Sequence, residues 1–125
     1  MIIKPIFICD RIGGDIAVFG SVEDVESQLE VVDIRNEEYL AYDSVGRQLC
    51  LMVENGAVKI SAVEKEPSHV EELRQKLSAF LIAAKIPDIS PTVSLAALVD
   101  LATPFLYERT NIGRLFKKIR PAQKK

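Results

Sequence analysis

Residues 37–63, EEYLAYDSVGRQLCLMVENGAVKISAV, decide the fold. Asn55-Gly56 is the strongest hairpin signal in the chain, because both residues tolerate positive φ and accept the turn that matches the twist of flanking strands. Asp43-Ser44-Val45-Gly46 has Asp first and Gly last, the pattern of a type I turn. Around these turns lie three β-type runs. In residues 37–42, Tyr39 and Ala41 point one way and Leu40 and Tyr42 the other. Residues 47–53 set Leu49, Leu51 and Val53 against Cys50 and Met52. Apolar residues on both sides predict a central strand buried on both faces. Residues 57–63 complete a three-stranded meander.

Toward the N-terminus, residues 2–9 are rich in Ile and Phe, and residues 16–19 form a second apolar run. The turn cluster between them contains Gly13-Gly14, so the pair reads as a hairpin. Pro5 cannot donate to a ladder, which makes the first strand an edge or starts it after Pro5. A helix is predicted over 22–32. Ser21 stands at its cap with Asp24 three residues on, and Val22, Val25, Leu29 and Val32 make a narrow apolar stripe.

Beyond the meander the pattern turns helical. Ser68-His69-Val70-Glu71 reads as a capping box. Val70, Leu73, Leu77, Phe80, Leu81 and Ala84 follow at helical spacing, and Pro87 ends that helix. Ser90-Pro91 starts another that runs to about residue 102. Thr103-Pro104 kinks or restarts it, and Asn111-Ile112-Gly113 is a possible further break. Ile112, Leu115, Phe116 and Ile119 then form a last amphipathic turn. The chain thus reads as one α+β domain over 1–125. Residues 1–63 are mainly β with one helix at 22–32, and residues 68–120 are helical. The sheet has about five strands, mainly antiparallel, and is packed by the C-terminal helices. Leu49, Leu51, Val53, Val70, Leu73, Leu77 and Phe80 are expected to be buried together between sheet and helix.

Composition narrows the function classes. Of 125 residues, 48% are hydrophobic and 27% charged, which excludes disorder throughout and a coiled coil. The longest uncharged run, residues 89–99, is too short and too polar to span a bilayer. No long apolar segment resembling a secretory signal opens the sequence, so the expected compartment is cytoplasmic. In that setting Cys9 and Cys50 are expected to be free, buried and unreactive thiols. His69 is the only histidine and cannot complete a tetrahedral Cys/His metal set. It is expected to be an exposed or half-exposed helix-start residue. Gly13-Gly14 precedes a strand and lacks phosphate-loop spacing. No metal, cofactor or catalytic residue is therefore assigned, and the chain is not expected to be an enzyme.

The net charge of −2 hides a segregation. Residues 15–43 hold nine acids and one base, Arg35, for a net −8. From Arg109 onward there are seven bases and no acid. The basic end complements a helix dipole; as a second reading it binds nucleic acid, although aromatic interleaving is limited to Phe116. The acidic stretch reads as a solvated face or as a surface for a basic partner. Like charges one turn apart cost a helix about 0.2–0.5 kcal/mol per pair, and a cationic partner relieves that cost.

The run GDIAVFGSVEDVESQLE at residues 14–30, followed by Asp33-Ile34, Glu38-Tyr39, Ala41-Tyr42-Asp43 and Gly46-Arg47, resembles small bacterial immunity proteins of polymorphic-toxin and contact-dependent growth inhibition systems. The likeness covers residues 14–47. It implies a non-catalytic inhibitor of one cognate toxin protein. A nuclease-type toxin must hold a polyanion and tends to be basic. The acids then expected at the interface are Glu23, Glu26, Glu30, Asp33, Glu37 and Glu38. They should be exposed and poorly paired within the monomer, so that reversing Glu26 and Glu30 leaves stability within about half a kcal/mol.

Overall fold

The structure, a computed structural model, describes residues 1–87, 89–90 and 92–113, apart from the side chains of residues 105 and 107–113. Its centre is a five-stranded sheet: β1 (Ile6–Asp10), β2 (Ile16–Phe19), β3 (Tyr39–Tyr42), β4 (Gln48–Glu54) and β5 (Ala57–Ala62). The spatial order is β2-β1-β3-β4-β5, with every neighbouring pair antiparallel. The β1 strand begins after Pro5 but is not an edge. It lies between β2 and β3, buried along its whole length. Asn55 (φ 53°) and Gly56 (φ 76°) close the β4–β5 hairpin in the left-handed conformation their dipeptide favours.

The helix expected over 22–32 is two helices, α1 (Val22–Gln28) and α2 (Val31–Arg35). Leu29 and Glu30 are extended, and the Glu30 carbonyl restarts the helix by accepting from Asp33 and Ile34 N–H. The break re-aims the chain. A continuous helix would carry Val32 in its apolar stripe, but Val32 is 51% exposed and Ile34 is buried instead. The α1 helix packs mainly on β5, and α2 on β4.

On the opposite face lie α3 (Val70–Ala83) and α4 (Leu95–Gly113). The start of α3 approaches the β3–β4 turn so closely that a Cβ on Gly46 would sit 2.7 Å from Val70 Cα. His69, not Ser68, caps α3, and no side-chain hydrogen bond completes the expected capping box. The helix stops ahead of Pro87. Lys85 (φ 64°) is left-handed, Lys85 N–H donates to Ile82 carbonyl and Ile86 N–H to Leu81 carbonyl, a Schellman ending. Ser94, not Ser90, caps α4, accepting from Ala97 N–H at 3.2 Å. Ser90 instead accepts from Thr92 N–H in a local turn. Pro104 lies within α4, whose backbone stays helical through Gly113. Leu115, Phe116 and Ile119 lie outside the described residues.

These layers make two cores. Ile6, Ile8, Phe19, Val25, Leu29, Ile34, Tyr39, Leu49, Val58 and Ile60 pack under α1 and α2. Phe7, Cys9, Ile16, Val18, Tyr42, Leu73, Leu77, Leu81, Leu98 and Leu106 pack under α3 and α4. The core expected around one helix face is therefore divided by the sheet: Leu49, Leu51 and Val53 join the first cluster, and Val70, Leu73, Leu77 and Phe80 the second. The α4 helix packs on β2 and α3 on α4, away from β4 and β5. Hence β4 is central by pairing but not buried on both faces; Cys50 is half-buried and Met52 is 43% exposed. No helix among the described residues is long and apolar enough to cross a membrane.

Candidate functional site

The six acids expected at an interface do not share one surface. Glu23 is exposed in the first turn of α1, beside exposed Asp24. Glu37 is also exposed. Glu30 is half-buried at the head of α2. Glu26 is half-buried, and its Oε2 accepts Ile60 N–H from β5 at 3.0 Å, with Lys59 Nζ 4.0 Å from Oε1. Asp33 is only 5% exposed. Its Oδ2 accepts the Tyr39 hydroxyl at 3.1 Å, and its carbonyl accepts Glu38 N–H. The Glu38 carbonyl in turn accepts Arg11 N–H at 2.8 Å. The expectation of exposed, poorly paired acids thus holds in exposure for Glu23 and Glu37 and fails for Glu26 and Asp33. Both were drawn inward by what an isolated helix does not reveal: an unpaired strand edge and a buried phenol, each needing a hydrogen-bond partner.

A second feature lies within the sheet. The β3 and β4 strands pair only through Ala41–Leu49 and Tyr42–Gln48. Asp43 N–H donates to the Arg47 carbonyl at 3.0 Å, so the odd-numbered residues of both strands exchange ladder bonds. The next pair in that series, Tyr39 with Leu51, is not made. From there the strands part around a cleft of about 260 Å³ lined by Arg11, Ile34, Glu37, Tyr39, Leu40 and Leu51, among others. The opening has identifiable causes. Arg11 holds the start of β3 toward β1, its N–H on the Glu38 carbonyl and its Nε on the Glu37 carbonyl at 2.8 Å. Asp33 ties the same segment to α2.

A third site sits between the Gly13-Gly14 turn and α3. It is a cavity of about 580 Å³ bordered by Cys9, Asp10, Asp15, Lys76, Phe80 and small residues of α3. Asp10 Oδ1 shapes the turn by accepting Ile12 and Gly13 N–H. Cys9 is 2% exposed. Burial pushes its thiol up to about 12, against the pull of Lys76 and with a smaller push from Glu72. Tyr42 donates its hydroxyl to Glu72 across the second core, and burial followed by that bond raises its pKa.

His69 is half-buried, as expected, with Nδ1 2.8 Å from Glu64 Oε2. Glu64 Oε1 also accepts Gln48 N–H at 3.0 Å. Burial opposes ionisation of Glu64, but hydrogen bonds with Gln48, His69 and Ser68 and the charge of His69 outweigh it and lower its pKa. Among the described residues, no three His, Cys, Asp or Glu side chains gather as a metal site. The side chains of the basic end, from Arg109 onward, lie outside the described residues. Comparison with protein-family models, curated proteins and solved structures found no match for this chain.

Proposed function

We propose that this chain is a non-catalytic immunity protein, acting in the bacterial cytoplasm, that binds and neutralises a cognate basic toxin of nuclease type through an acidic surface. The observation that carries the reading is the outer face of α1. Glu23 and Asp24 stand exposed there, Glu30 follows at the head of α2, and α1 itself holds no cation. An acidic face gains from meeting a basic one, chiefly in encounter rate and partner choice. The resemblance over residues 14–47 supports the same reading independently of charge. Asp33 and Glu26 then serve the interface indirectly, by fixing α1 and α2 on the sheet.

The test is genetic and direct. The gene beside this one is expressed alone and together with this chain. Growth arrest by the first, relieved by the second, is the expected result. A neighbouring product that is harmless, or whose toxicity this chain leaves unchanged, refutes the proposal.

A further inference from the structure

We draw no further inference here: the strongest candidate, the cavity of about 580 Å³ between the Gly13-Gly14 turn and α3, sets Asp10 and Asp15 against Lys76 among small and apolar side chains, so its charges select no ligand.

Discussion

Glu26 Oε2 accepts the Ile60 N–H at 3.0 Å, so a helix carboxylate closes the outer edge of the sheet. A bare β5 edge would invite pairing with another chain, and a charge set against it is a common protection. The side chain assigned by charge pattern to a partner thus already serves the fold. Glu26→Ala should destabilise by about 1–3 kcal/mol, since Ile60 is buried and its donor would go unsatisfied. Glu26→Lys with Glu30→Lys should likewise exceed the half kcal/mol of an ordinary surface change. Urea unfolding measures both, and light scattering should show the Ala variant self-associating.

Leu77→Ala should cost about 2–5 kcal/mol, because Leu77 is wholly buried among Phe7, Tyr42 and Leu98 and its removal leaves a cavity. A loss near zero in thermal unfolding would place α3 elsewhere.

The two cysteines should separate in thiol labelling. Cys9 is buried, with a thiol pushed up to about 12, and should react only on unfolding. Cys50 is half-buried on the open face of β4 and should label faster in the native state. The sequence predicts both thiols to be inert. Its reading of β4 as buried on both faces depends on helices that cover only the β1–β3 half.

Much of the architecture was legible because local rules and tertiary needs agree. Asn55-Gly56, the alternation in β3 and β4, and the α3 stripe all point to the observed elements. What was not legible depends on partners distant in sequence. The break at Leu29 and Glu30 serves two separate strands, and Asp33 turns inward to meet Tyr39 six residues later. Arg11, which holds the Glu37 carbonyl ahead of β3, lies in another hairpin and carries no local signal of that role.

The Glu64 carboxyl should shape the acid limb of stability. Its folded pKa lies below the ordinary value, so it stabilises above the unfolded pKa of about 4.3 and loses that contribution as pH falls through the folded value. Glu64→Gln should flatten the fall in melting temperature below about pH 5. An acid limb identical to that of the unaltered chain would contradict this.

The proposed function rests on an acidic face that binds a basic toxin. Its most direct measurement is the affinity for the neighbouring gene's product at low and high salt, comparing the unaltered chain with Glu23→Lys plus Asp24→Lys. Both positions are exposed, so the fold should survive. The unaltered chain should bind tightly and weaken with salt, and the double variant should bind at least about tenfold more weakly with a shallower salt dependence. Equal affinities and equal salt dependence for the two chains would contradict it.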